Sequence, residues 1–374
     1  MPDKGGFPHF MIKEIFEQPQ GVCDTVEARV SLNEGVVLLD DIRISADELR
    51  ALRRINIVAS GTSRHAGMVG QYMVQELVNI PVDVDYASEF EYRNPLIGPG
   101  EITIVITQSG ETADTTAAQR EAKAKGSRTV AISNVKDSTI AREADGVLYT
   151  LAGPEISIAS TKAFTAQMAV LFLFALYLGQ VRGKFSREQR RLYIKELLEI
   201  PDKLTTVLDT APTCERLADR YHAFDDFLFM GRAAHYPVAM DGALKLKEVS
   251  YIHAEGYPTG ETKHGPLALI DEKLPIVIIA TRAPDDPGSM LRYEKTVANI
   301  KTFKQQGASI IALTSEGDDE LARLTDTVPI PRAHELLLPI LEIVPMQLFA
   351  YYMAVRRGLD VDKPRHLVKS VVVE

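Results

Sequence analysis

Short β-branched runs alternate with longer stretches of helical periodicity from Ile55 onward, and the alternation restarts once near Phe227. Ile55 to Ala59, Pro81 to Tyr86, Ile102 to Thr107, Thr129 to Ile132 and Gly146 to Tyr149 read as short buried strands. His65 to Val78 and Ala117 to Lys125 read as helices between them, the second closed by Gly126. Such βαβ alternation predicts a parallel, doubly wound sheet. Ahead of it, Met11 to Glu17 predicts a short helix stopped by Pro19, and Val36 to Leu39 a brief strand. Phe185 to Leu208, an apolar stripe punctuated by Arg187, Arg190, Arg191, Lys195 and Glu196, predicts a linker helix.

The restart is a repeat. Phe227 to Met230 stands for the Ile55 strand, Gly231-Arg232-Ala233 for Gly61-Thr62-Ser63, and Pro275 to Ala280 for Ile102 to Thr107. Gly307 before Ser309 to Thr314 parallels Gly126 before Arg128 to Ser133. Similar offsets throughout imply two tandem copies of one fold.

Charge and composition narrow the partners. At 374 residues the chain can hold two α/β domains, and its formal net charge of -9 argues against nucleic acid, which needs a basic face. Cys23 and Cys214 are the only cysteines, too far apart to predict a disulfide framework or thiolate metal site. The apolar run Met168 to Leu178 falls short of the roughly 20 residues a membrane span needs and reads as a buried helix. With no signal-peptide pattern after Met1, a cytoplasmic protein without membrane contact is expected.

Candidate chemistry gathers in three places. The turns Ser60 to Ser63 and Thr107 to Thr112 follow strands, at the carboxyl edge where ligands of open α/β sheets bind. Each places hydroxyls beside the free N–H groups of a helix start, which suits a phosphate. The competing reading is an ordinary capped helix with Thr107 or Ser109 as N-cap; two such turns on neighbouring strands favour phosphate. The second copy has Arg282-Ala283-Pro284-Asp285-Asp286 where Gln108-Ser109-Gly110-Glu111 stands, so one copy is expected to bind phosphate. Within that second copy, Asp241, Lys245 and Glu248 share one face of the helix implied by Val238 to Tyr251, and the Gly- and Pro-rich loop Gly256 to Pro266 presents His264. A solvated face with ordinary ion pairs is the alternative for that stripe. Last, the apolar tail Arg365 to Glu374 is expected to dock, bringing Lys369 and Arg365 with it or merely finishing the core.

These residues together resemble a known family. Thr107 to Asp114, Ala159 to Thr165, Gly242 to Glu248, Lys263 to Leu269, Lys363 to Arg365 and Val368 to Ser370 resemble the isomerase half of the glutamine:fructose-6-phosphate amidotransferase family, from Phe7 to Glu374 and in the same order. The resemblance implies an α/β fold of two tandem SIS domains, each a parallel, flavodoxin-like sheet flanked by helices, plus a docked tail. Residues 1–45 would be an N-terminal segment, 46–200 the phosphate-binding domain with its linker helix, 201–360 the second domain and 361–374 the tail.

It also implies roles. Gly61, Thr62, Ser63, Thr107, Gln108, Ser109 and Thr112 match sugar-phosphate contacts, and Ile158, Ser160 and Val368 further substrate contacts. Glu248 matches the base that shuttles a proton between C1 and C2, and His264 the group that assists ring opening from the neighbouring subunit of a homodimer. Lys369 matches the lysine that forms a Schiff base with the ketose. Lys245 matches a cation near O1 and O2, and Asp241 and Arg365 supporting positions. No metal or cofactor is implied. The residue types suit the reaction: one carboxylate can remove and return the proton, while an amine activates the ketone and cations stabilise the enolate oxygen.

Departures are Asp241 for the usual Glu, Ser60 for Cys, Thr107 for Ser, and Val368 for a small Ala, which narrows the site; Asp285 to Met290 reads as a lengthened loop. The glutaminase domain that begins the whole synthase is absent, so the sequence is either a piece of a longer protein or a stand-alone isomerase half, and a glutaminase domain or subunit is an expected partner. The rival readings are a deaminase releasing ammonia from glucosamine 6-phosphate, an isomerase for another phosphosugar, and a non-catalytic sugar-phosphate-binding regulator.

Overall fold

The structure, a computed structural model, describes residues 3–370. Its contacts divide it into two units, one formed by Gln20–Glu155, Lys162–Glu199 and the tail from Val368, the other by the segments up to Pro19, Ile156–Thr161 and Ile200–Leu367. Two short helices come first, α1 (Phe10–Phe16) and α2 (Gln18–Val26). Pro19 therefore does not end helical structure. It occupies the first turn of α2, where a missing N–H leaves no hydrogen bond unmade, and the break falls at Glu17. Val36–Val37 pairs with Val30–Ser31 in a two-stranded ribbon, shorter than the predicted Val36 to Leu39 strand.

The first unit holds β1 (Arg54–Ala59), β2 (Val82–Tyr86), β3 (Glu101–Thr107), β4 (Arg128–Ser133) and β5 (Gly146–Tyr149). They pair in the order β2-β1-β3-β4-β5, all parallel, with Ile55 opposite Ile102 and Ile104 opposite Val130. Strands covered on both faces by helices need apolar side chains at successive positions, and Ile104, Val105 and Ile106 are all buried. Helices α3 (Gly61–Val78) and α4 (Ala113–Ala124) follow β1 and β3, and α5 (Lys162–Val181) follows β5. The second unit repeats the plan: β6 (Asp226–Gly231), β7 (His253–Pro258), β8 (Ile276–Ala280), β9 (Ile310–Ser315) and β10 (Asp326–Ile330), in the order β10-β9-β8-β6-β7, again all parallel. Among its helices are α6 (His235–Ser250), α7 (Pro287–Gln305) and α8 (Leu338–Arg356). The expected flavodoxin-like α/β class and the internal repeat are both present.

Helices α5 and α8 are long and apolar enough to cross a membrane, yet 83% and 89% of those windows are buried inside the fold. A helix that is apolar all round belongs in a core, and here it is the central packing helix of its unit.

Four local expectations change. The helix after β1 begins at Gly61 rather than His65, putting Thr62 and Ser63 in its first turn. The linker is two helices, Arg187–Leu198 and Ile200–Leu208, broken at Glu199 ahead of Pro201. Gly256 to Pro258 belong to β7, so only the residues after them form the turn-rich stretch. Asp285 to Met290 is not a lengthened loop: the Asp286 carboxylate caps Gly288 and Ser289 N–H at 2.7 and 3.1 Å, and α7 starts at Pro287.

Candidate functional site

At the end of β3 the chain turns through Gln108 to Glu111 into α4, whose N-cap is Thr112. Thr107 Oγ1 accepts the Gly110 N–H at 3.1 Å and lies 3.3 Å from Thr112 Oγ1, and Ser109 Oγ accepts the Glu111 N–H at 3.2 Å. Gly110 has φ +71°, and a Cβ there would come within 2.0 Å of Ser138 Oγ, so the turn requires glycine. The Glu111 carboxylate takes the Thr139 N–H at 2.8 Å, which holds its pKa below the usual value and pins the outer side of the turn.

Neither helix start in this cradle is capped by a side chain. Thr112 on α4 and Ser60 on α3 both occupy the N-cap position without a side-chain cap bond. Thr107, Ser109 and Thr112 thus put hydroxyls at one uncapped helix start, and Thr62 and Ser63 lie in the first turn of the other, residue types that suit an anion. Ser63 Oγ is oriented by Gln167 Nε2 at 3.0 Å. Arg64, beside it, stacks on Tyr86 with its guanidinium carbon 3.7 Å from the ring centre, and its Nε and Nη1 have no acceptor among the described residues.

The same unit holds Lys369. Its Nζ lies 2.7 Å from Glu155 Oε2, and Glu155 Oε1 accepts the Ala163 N–H at 3.2 Å, just inside α5. The Glu155 side chain is wholly buried. Val368, before the lysine, is 65% exposed, and residues 371–374 of the predicted tail lie outside the described residues.

In the other unit, α6 carries the acid–cation–acid stripe. Asp241 and Lys245 are fully buried, whereas Glu248 keeps 21% of its side chain exposed and forms an ion pair with Lys245 Nζ at 2.6 Å. The solvated-face alternative is thereby excluded. Burying a charged lysine is costly unless it is paired, and here it backs a carboxylate that retains access to solvent. His264 is exposed at the end of the 3₁₀ turn Thr259–His264. That turn is fixed by Thr259 Oγ1 to Gly231 O (3.1 Å), Thr262 Oγ1 to Thr259 O (2.8 Å) and Asn299 Nδ2 to Thr259 O (2.8 Å). Arg365 lies over Tyr251, its guanidinium carbon 4.2 Å from the ring centre and its N–H donated to the Tyr251 hydroxyl at 2.8 Å. Ile158 and Ser160 are half-buried in the stretch Ile156–Thr161. Thus Thr107, Ser109 and Thr112 come together in one unit, and Lys245 and Glu248 in the other.

The second copy lacks the cradle for a physical reason beyond its sequence. Its α7 is capped by its own Asp286, and Glu335 supplies an internal anion nearby. Glu335 accepts Ser289 Oγ at 2.5 Å, Arg292 Nε at 2.8 Å and His235 Nε2 at 2.8 Å, while His235 Nδ1 meets Glu342 at 2.7 Å. Burial and nearby Arg292 pull the His235 imidazole toward neutrality, but the two carboxylates outweigh them and raise its pKa above the ordinary value. Burial likewise opposes ionisation of Glu335, yet His235 and Arg292 hold it well below the usual carboxylate range. Cys214 is chemically quiet, its thiol pushed up to about 12 by complete burial.

Sequence reasoning passed over Glu155, Gln167 and Arg64. Glu155 stands four residues before the Ala159 to Thr165 motif, but nothing local marks it as the partner of a lysine more than two hundred residues later.

A tandem pair of parallel five-stranded sheets in the flavodoxin-like order, each flanked by helices, defines the class of α/β protein. The chain belongs to the SIS domain family, whose model matches residues 48–177 and 225–357. It is 50% identical over 373 residues to a glutamine–fructose-6-phosphate aminotransferase (isomerizing) of Chlorobaculum tepidum and 49% identical to one of Caldanaerobacter subterraneus. All of this chain is matched in both cases, but the chain spans only 59% and 60% of those relatives. Among solved structures it is similar to the C-terminal domain of glucosamine-fructose-6-phosphate aminotransferase from Francisella tularensis, at 35% identity and a TM-score of 0.91, covering 97% of this chain and 100% of that one.

Proposed function

We propose that this chain is the isomerase half of a glucosamine-6-phosphate synthase. It binds fructose 6-phosphate and, given ammonia, forms glucosamine 6-phosphate; without ammonia it interconverts fructose 6-phosphate and glucose 6-phosphate. The observation that carries the reading is Glu248, a partly exposed carboxylate backed at 2.6 Å by the fully buried Lys245. The similarity to aminotransferases along the whole chain supports it.

In this mechanism Thr62, Ser63, Gln108, Ser109 and Thr112 hold the phosphate through hydroxyls and helix-start amides, with Gly61 and Thr107 shaping the cradle. Ring opening is assisted by His264 of a second copy in a homodimer, which accounts for its exposure here. The Lys369 amine attacks C2 of the open ketose and water leaves; ammonia then adds to the iminium carbon and the Lys369 amine departs, giving a ketimine that acidifies the C1 proton, whereas without ammonia water releases Lys369 and the C2 ketone acidifies that proton. Glu248 takes that proton and returns it to C2, while Lys245 stabilises charge developing at O1 and O2; Asp241 and Arg365 support the arrangement. Ile158, Ser160 and Val368 line the sugar. A glutaminase domain or subunit is the proposed source of ammonia, and the cytoplasm the proposed location.

Incubating the chain with fructose 6-phosphate, with and without ammonium, tests the reading. Glucose 6-phosphate alone and glucosamine 6-phosphate with ammonium are the expected products. Binding without turnover would mark a regulatory module instead, and faster net ammonia release from glucosamine 6-phosphate than synthesis would mark a deaminase.

A further inference from the structure

Helix α1 has an odd buried face. Met11 and Ile15 are fully buried apolar residues, as a packed short helix demands, but Glu14 beside them is only 2% exposed. A carboxylate is expensive to bury unless it accepts strong hydrogen bonds. Glu14 Oε1 accepts two from one place, the backbone N–H groups of Ile156 at 2.5 Å and Ser157 at 3.2 Å.

Other ties on that stretch come from equally distant sequence. The Ile158 N–H is donated to the Asp362 carbonyl at 3.1 Å. The two carboxylate oxygens of Asp362 accept the Phe10 and Met11 N–H groups at 2.9 Å each, so the residue holding Ile158 also caps α1. The Thr161 carbonyl accepts from Gln347 Nε2 at 3.3 Å, and Gln347 Oε1 accepts from Gln18 Nε2 at 2.9 Å. Ile156–Thr161 has no regular secondary structure of its own, yet its residues alternate: Ser157, Ala159 and Thr161 are completely buried, while Ile158 and Ser160 are partly exposed. An irregular segment keeps such an alternation only if its backbone is held from outside, and Glu14 holds its leading end.

We propose that Glu14 is a positioning residue for the sugar site: by fixing the amides of Ile156 and Ser157 it sets the backbone that presents Ile158 and Ser160. The inference rests on the reading of those two residues as sugar contacts. It makes the helix that leads into the fold, α1, part of the machinery that sets substrate affinity, although Glu14 touches neither sugar nor reacting atoms. Because the lost contacts would be to bound sugar rather than to the migrating proton, the effect belongs in KM and not in kcat.

Three variants of the full chain decide it, with steady-state conversion of fructose 6-phosphate to glucose 6-phosphate and calorimetric binding of glucose 6-phosphate as readouts. Glu14→Ala removes the acceptor, Glu14→Asp keeps the charge but withdraws it by one methylene, and Glu14→Gln keeps an acceptor oxygen at full reach. The expected result is a rise of about tenfold in KM and in glucose 6-phosphate Kd for Glu14→Ala and Glu14→Asp, with kcat within threefold and Glu14→Gln close to the parent, since one lost charge-assisted hydrogen bond corresponds to roughly that factor. Should Glu14→Ala not fold, the Asp and Gln pair carries the test alone. Parental affinity in Glu14→Asp, or an equal defect in Glu14→Gln, would overturn the inference. Absence of turnover in the parent chain would overturn the functional reading instead, and the calorimetric comparison still decides this one.

Discussion

Lys369 Nζ rests 2.7 Å from the wholly buried carboxylate of Glu155. The lysine proposed to meet the substrate carbonyl is therefore held by a residue of the segment that joins β5 to α5. Charge-assisted hydrogen bonds of this kind contribute roughly 1.5–3 kcal/mol, and removal of the acceptor lets the lysine and its tail wander. Glu155→Ala is expected to lower trapping of Lys369 by borohydride in the presence of fructose 6-phosphate by about tenfold or more, one factor of ten for each 1.4 kcal/mol lost. Mass-spectrometric yield of the reduced adduct checks it; an unchanged yield removes Glu155 from any role in placing the amine.

Gly110 makes a prediction about the phosphate cradle. Its φ of +71° and the 2.0 Å approach of a built Cβ to Ser138 Oγ leave no room for alanine without displacing the turn. Gly110→Ala is expected to weaken sugar-phosphate binding by at least about tenfold and to destabilise the fold by roughly 1–3 kcal/mol, the range for strain plus overpacking. Glucose 6-phosphate calorimetry and thermal melting check the two parts.

The ionic cluster of the second copy predicts a stability optimum on the acid side of neutrality. The His235 pKa is raised above 6.5, so its contribution is complete below that value and is lost as pH climbs through the raised folded pKa. The Glu335 pKa is lowered beneath 4.5, so its contribution is complete above 4.5 and is lost as pH falls through the lowered folded pKa. Between about pH 4.5 and 6.5 both contributions stand. Denaturant unfolding from pH 4 to 9 should show the His235→Gln variant losing the alkaline decline seen in the parent, with a smaller difference between the two proteins at pH 9 than at pH 6. A gap that stays constant across that range would contradict the assignment.

Most of the fold was legible because parallel sheets impose continuous apolar strands and because the repeat supplied each assignment twice. Where the reading slipped, Pro19 had been taken for a stop and the breaks at Pro201 and Pro287 went unread; all three sit in first turns, where proline starts a helix as readily as it ends one. The cradle was legible from its hydroxyls, but not the fact that both helix starts lack a side-chain cap, which depends on rotamers. The stripe on α6 was legible as spacing, while its burial was not, since periodicity alone cannot tell a buried face bearing Asp241 and Lys245 from a wet one. Glu155, Glu335 and Glu14 were invisible because each meets a partner remote in sequence, Lys369, His235 and Ile156 respectively, and a lone glutamate in sequence looks like surface.

The central claim is that Glu248 moves the proton between C1 and C2. Incubating the chain with fructose 6-phosphate in deuterated water and following deuterium at C1 and C2 by NMR measures that step apart from binding. Glu248→Gln, nearly isosteric, is expected to slow the exchange by about 10²–10⁴-fold while binding glucose 6-phosphate with parental affinity, the range for loss of a positioned acid–base group. Exchange at the parental rate in that variant would contradict the account.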